Sequence, residues 1–168
     1  MQFISTVADF PDNKWEEIIS LKLSSAFYLS KECIPHMLKN NWGRIINISS
    51  VHGLVASVNK SAYVASKHGI IGFTKATALE YAKHGITSNA ICPGWVLTPL
   101  IEKQIDIIAK RDNLTKEQAS KKLVEEKQPS GKFSSVDDVG ELTAFLVSDN
   151  ARQVNGAAWT MDGAWTAQ

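Results

Sequence analysis

Apolar residues return every three or four positions between residues 12 and 40, at Trp15, Ile18, Ile19, Leu23, Phe27, Leu29, Ile34 and Leu38. That period predicts one long helix with a buried central face, opened by Asp12 as N-cap. After Gly43 the pattern changes to Arg44-Ile-Ile-Asn-Ile-Ser-Ser50, a β-rich run that reads as a strand buried on both sides and ending in polar residues. Helical spacing resumes from 61 to about 84, with Ala or Gly at 62, 65, 69, 72, 76 and 78 letting a neighbouring element come close, and Gly85 stops it. A second strand, about 86 to 92, runs into Pro93-Gly94. Strand, helix, strand with a helix-length connection is a parallel βαβ unit, so both strands end on the same rim.

Beyond Thr98 the chain is charged to about residue 127, and Thr115-x-x-Gln118 has the form of a capping box. One or two amphipathic helices over a cleft, a candidate lid, are predicted there. Ser135-x-x-Asp138 opens a further helix to about 147, and residues 157 to 161 make a last short strand before Asp162-Gly163. Three strands alternating with helices predict an α/β fold, the C-terminal part of a doubly wound parallel sheet in a three-layer αβα arrangement.

At 168 residues the chain fits a single domain, 1 to 168, able to bury a core without disulfides or metal. Eighteen basic residues against seventeen acidic ones recommend neither nucleic acid nor an anionic membrane as partner. A small molecule is the expected ligand. Cys33 and Cys92 form no metal or disulfide pattern and suit a reducing compartment, which points to the cytoplasm. The N-terminus lacks the character of a signal peptide and no stretch approaches the ~20 apolar residues of a membrane span, so a soluble protein is expected. No glycine-rich phosphate loop is present.

The chemistry concentrates in Ser61-Ala-Tyr-Val-Ala-Ser-Lys67. Tyr63 and Lys67 stand four residues apart and share a helix face, as many solvated pairs do. Their setting makes them more than that. Ser49-Ser50 and Pro93-Gly94 lie at the carboxyl ends of parallel strands, where open sheets bind ligands, and the Tyr63 helix starts between them. An ammonium ~4 Å from the phenol, at an effective dielectric of about 20, is worth up to ~4 kcal/mol and would bring its pKa from ~10 to near 7. Such a phenol can exchange a proton with a substrate hydroxyl or carbonyl while a serine holds the same oxygen.

Ser50, then Tyr63-x-x-x-Lys67, then Pro93-Gly94 resembles the short-chain dehydrogenase/reductase family. The stretches from Gly43 to Gly69, NAICPGWVLTPL, EKQPS and DGAWTA are similar to its branch acting on a small 3-hydroxy acid. The resemblance implies a Rossmann-like fold, NAD as cofactor, no metal, and a homo-oligomer, a tetramer in the family. It implies catalytic roles for Ser50, Tyr63 and Lys67, with Tyr63 as acid or base and Lys67 lowering its pKa while binding the nicotinamide ribose. Pro93, Gly94, Val96 and Thr98 would face the nicotinamide together with Tyr63 and Lys67. Gln2, His52, Lys60 and Gln104 would bind the substrate carboxylate, and Trp95 and Trp165 would wall its methyl end. Charge and donor chemistry agree with that set. Trp15, Trp42 and Trp159 are left to packing.

The same comparison places the family's glycine-rich βαβ portion before Gln2, so the chain is expected to be N-terminally incomplete. Lys22 stands where the family normally has Asn; a second ammonium near Lys67 would disfavour protonation there, whereas a solvent-directed Lys22 would be a surface residue, and Lys22→Asn in a chain with the missing segment restored is expected to raise turnover. Ala164 stands where a second Gly is common and would stiffen the C-terminal turn. Two other functions fit the same residues. One is a reductase of 3-ketoacyl thioesters, in which Lys60 and His52 would have no free carboxylate to bind. The other is a non-catalytic oligomerising fragment.

Overall fold

A computed structural model describes residues 2–167. Strands β1 (Gly43–Ile48), β2 (Ile86–Pro93) and β3 (Ala158–Met161) form a parallel sheet in that spatial order. Ile45 sits opposite Ser88, Asn47 opposite Ala90, and Ile91 opposite Trp159. Central β2 is buried along its whole length, because helices cover both faces. On one face lie α2 (Ser25–Asn40) and α3 (Ser61–Tyr81): Ile34 packs on Ile45 and Ile86, and the Asn47 amide donates to the Thr74 hydroxyl at 2.9 Å. On the other face α6 (Val136–Val147) sets Phe145 edge-on against Trp159, with ring centroids 6.3 Å apart. This is the expected three-layer α/β sandwich.

Two expectations about burial change. β1 is not buried on both sides: Gly43, Ile45 and Asn47 are buried, whereas Ile48 is 49% exposed. β1 pairs on one side only among the described residues, and α6 covers its second face incompletely. The long first helix is also not one regular α-helix. It runs as α1 (Asp12–Ile19), a π turn over Ser20–Ser24, and α2. Its central apolar residues Phe27, Tyr28 and Leu29 are exposed while Ile18 and Ile34 face inward, since the π turn's extra residue shifts the phase of the apolar stripe. Asp12 is the first helical residue rather than the cap; Pro11 holds the cap position with no side-chain hydrogen bond.

The charged segment forms α4 (Pro99–Asp112) and α5 (Lys116–Glu125), packed on each other through Ile105, Ala119 and Leu123. The anticipated capping box exists at Thr115 with Gln118, and Ser135 with Asp138, expected to open a helix, forms a second one. Trp95 packs against the Ile105 cluster, which ties this helical pair to the rim where β2 ends.

Candidate active site

Because the sheet is parallel, Ser49-Ser50 after β1, Pro93-Gly94 at the end of β2 and Asp162 after β3 all emerge on one rim. The Ser5–Lys60 bridge brings the N-terminal segment to the start of α3. Ser50 opens a short 3₁₀ turn, Val51–Gly53, its hydroxyl accepting the His52 amide at 3.2 Å. That turn places His52 between two rings, 5.8 Å from Tyr63 and 5.6 Å from Trp165, both edge-on. Trp95 lies 6.0 Å from Trp165, so four sequence-predicted residues form one continuous wall.

Lys67 is buried at 8% exposure, and its ammonium donates to the Ile48 carbonyl at 2.7 Å. Ser49 adds a second tie, its hydroxyl donating to the Lys67 carbonyl at 2.9 Å. The Lys67 Nζ lies 5.7 Å from the Tyr63 ring centroid. Burial, followed by the Lys22 charge, pushes Lys67 down to about 8.

The phenol behaves differently from the sequence expectation. Tyr63 is pushed up from its ordinary value by burial, and the opposing influence is a hydrogen bond with Ser50, not the Lys67 charge. The expected drop toward 7 assumed an ammonium ~4 Å away, and the ammonium is instead engaged by the Ile48 carbonyl. Tyr63 therefore holds its proton at neutral pH.

His52 is pushed down to about 4, by burial first and then by Lys60, His68 and Lys127. It is neutral at pH 7, with Nε2 2.7 Å from the Ser57 hydroxyl. Lys60, at the cap position of α3, is also pushed down, mainly by burial, with Glu126 opposing. Gln104 is half-buried on α4 and Gln2 is exposed; neither hydrogen-bonds this cluster among the described residues.

After β2, the Trp95 carbonyl and the Leu97 amide are spent on Ser134 in a parallel bridge. In that geometry the N–H and C=O of Val96 itself face the other way. The Thr98 hydroxyl accepts the Ile101 amide as N-cap of α4, which leaves its O–H as a donor. Trp95 Nε1 is buried with no hydrogen-bond partner among the described residues.

Gln128, within the stretch EKQPS, has no role expected from the sequence. Gln128 is 1% exposed; its Oε1 accepts the Trp95 amide and its Nε2 donates to the Lys132 carbonyl at 2.7 Å. A Cβ on Gly94 would strike that Oε1 and the Asp162 backbone, so the loop after β2 comes close only because residue 94 is glycine. A buried glutamine between two loops was the available signal, but the loop contact that gives it meaning is long-range.

The family model described as Enoyl-(Acyl carrier protein) reductase matches residues 2–166. The chain is 55% identical over 168 residues to a D-beta-hydroxybutyrate dehydrogenase of Cupriavidus necator, and 51% identical to one of Rhizobium meliloti. It is covered completely in both matches and spans 65% of the length of each relative. Among solved structures, 4-hydroxyisoleucine dehydrogenase complexed with NADH superposes with a TM-score of 0.88 at 32% identity, covering 100% of this chain and 65% of that one.

Proposed function

The chain belongs to the short-chain dehydrogenase/reductase family, and from that premise we propose that it interconverts D-3-hydroxybutyrate and acetoacetate with NAD as hydride carrier. The observation carrying this reading is the convergence of Tyr63, Ser50 and Lys67 on one rim, beside a pocket wall made by His52, Trp95 and Trp165. Identity of 51 to 55% with D-beta-hydroxybutyrate dehydrogenases supports the substrate.

Bound NAD would supply the hydride acceptor for alcohol oxidation and, once reduced, the donor for ketone reduction. Tyr63, protonated at rest, is set to give its proton to the ketone oxygen as that carbon is reduced. In the reverse direction it takes the hydroxyl proton, with Ser50 hydrogen-bonding the same oxygen. Lys67, with its charge next to the ring, stabilises the phenolate that reduction leaves behind. Lys60 and a neutral His52 would bind the carboxylate, Gln2 and Gln104 would supply amide donors, and Trp95 and Trp165 would limit chain length. The outward N–H and C=O of Val96 suit a carboxamide, and with Pro93, Gly94 and the Thr98 hydroxyl they fit the nicotinamide end of the cofactor. The orphaned Trp95 Nε1 fits a polar ligand in the pocket.

The test follows NADH absorbance with acetoacetate and with an acetoacetyl thioester. Oxidation with free acetoacetate, lost by at least about 1000-fold in Tyr63→Phe, is expected. A preference for the thioester would move the assignment to a ketoacyl reductase, and no NADH binding at millimolar concentration would reject the dehydrogenase reading.

Exposed Leu21, Phe27, Tyr28 and Leu29 on the first helical pair favour self-association into a homo-oligomer, a tetramer by family resemblance. Sedimentation of the chain checks this; a monomer at high micromolar concentration argues against it. No helix among the described residues is long and apolar enough to cross a membrane. The free thiols Cys33 and Cys92 fit a cytoplasmic location, which fractionation of the source cells would test.

A further inference from the structure

Tyr63 has two ammonium groups near its ring, not one. Lys22 Nζ lies 5.4 Å from the ring centroid and Lys67 Nζ 5.7 Å. Lys22 belongs to the π turn Ser20–Ser24, whose wider winding sets the phase at which its side chain leaves the helix. The next residue, Leu23, presses onto α3 at Gly69, where an added Cβ would come within 2.7 Å of Leu23 Cδ2. The π turn and that glycine together carry a half-buried Lys22 to the reacting phenol.

The two cations are not equivalent. Lys67 is buried at 8% exposure and gives one hydrogen bond to a neutral carbonyl. Lys22 is half-buried and keeps more water around its charge. Burial penalises the charged form, so when two ammonium groups repel each other the more buried one loses its proton first. The remaining groups facing Lys67 do not account for that repulsion. Tyr63 holds its proton, His52 is neutral, and the Cys92 thiol on β2, pushed up by burial, acts in the opposite sense, with Asp162 lying beyond it.

We propose that Lys22 is a positioning residue of the proton-transfer site: it holds a second positive charge over the Tyr63 ring, on the same phenol that the buried Lys67 ammonium approaches. This rests on the reading of Tyr63 as the proton-exchanging group. Its consequence is a site whose working range closes on the alkaline side earlier than a single buried lysine would allow. Above the Lys67 midpoint the phenolate left by reduction loses its buried cation.

The experiment uses protein labelled with ε-13C lysine, the Lys67 resonance being identified by its loss in Lys67→Arg. Its titration is followed by NMR in the unsubstituted chain, in Lys22→Met and Lys22→Gln as two neutral variants, and in Lys22→Arg. A midpoint that rises by about one pH unit in the neutral variants and holds in Lys22→Arg supports the proposal. A midpoint unmoved by Lys22→Met and Lys22→Gln overturns it, as does an unsubstituted chain titrating at the ordinary lysine value. Where turnover is measurable, the alkaline limb of kcat/KM should move up with the Lys67 midpoint. The NMR titration needs neither cofactor nor substrate. A shift without turnover therefore leaves the charge coupling standing and sinks the dehydrogenase reading with the proton-transfer role drawn from it, whereas turnover without a shift sinks only the coupling.

Discussion

The Lys67 ammonium donates to the Ile48 carbonyl at 2.7 Å, which fastens the middle of α3's first turns to the last residue of β1. Helix and strand end are thus one unit, and the rim cannot open there without uncovering a buried charge. Lys67 titrates at about 8 in the folded chain and near 10.5 unfolded. Between those values the unfolded chain binds more protons, so stability rises with pH. The Lys67 contribution, unfavourable by about 3 kcal/mol below pH 8, should be relieved by pH 10.5. Urea unfolding of the chain against Lys67→Met, from pH 7 to 10.5, isolates it because Tyr63 and Cys92 titrate in both. A difference that stays flat across that range contradicts the assignment.

His52 should destabilise the fold in acid. Its value falls from 6.5 to about 4, so as pH drops through that window the unfolded chain takes a proton that the folded chain refuses. The stability present above 6.5 should decline by about 2 kcal/mol by pH 4, allowing for partial screening. His52→Gln should lack this acid-side slope when urea midpoints are compared.

Gln128→Ala should cost about 2 kcal/mol, because it removes a fully buried side chain and both of its part-buried hydrogen bonds, to the Trp95 amide and the Lys132 carbonyl. Gln128→Glu should fare little better, since a carboxylate cannot donate to Lys132. Denaturant midpoints read the loss, and a change under about 1 kcal/mol in both would mean that water replaces the amide.

Ala164 has φ 71°, in the left-handed region, where its Cβ is penalised; the Asp162 carboxylate holds it there by accepting its amide at 3.1 Å. The turn is therefore strained as well as stiff. Ala164→Gly should stabilise the chain by about 1 kcal/mol and raise Tm by roughly 2–4 °C. Calorimetry showing no gain would mean that glycine's extra freedom in the unfolded chain offsets the relief.

Much of the fold was legible because its signals are local. Thr115 with Gln118 and Ser135 with Asp138 cap the helices they announced, and Gly85, at φ 66°, ends the segment it was expected to end. The strand-helix-strand order specified a parallel pair, and parallel pairing carried Ser50, Tyr63 and Pro93 to one rim. The exposed Phe27 face departs from the sequence pattern because a π turn changes the period without changing the composition.

The order and spacing of residues by themselves determined the architecture, the rim and the membership of Tyr63, Lys67, Ser50 and His52 in it, since a shared helix face and a strand end follow from local geometry. Only the tertiary structure decided the state of those groups. Whether the phenol rises or falls, whether His52 is charged, and whether Lys22 meets solvent or the Tyr63 ring depend on burial and on distances between chain segments far apart in sequence. Electrostatic energies change with every ångström and every lost water, and neither quantity is written in a spacing of four residues.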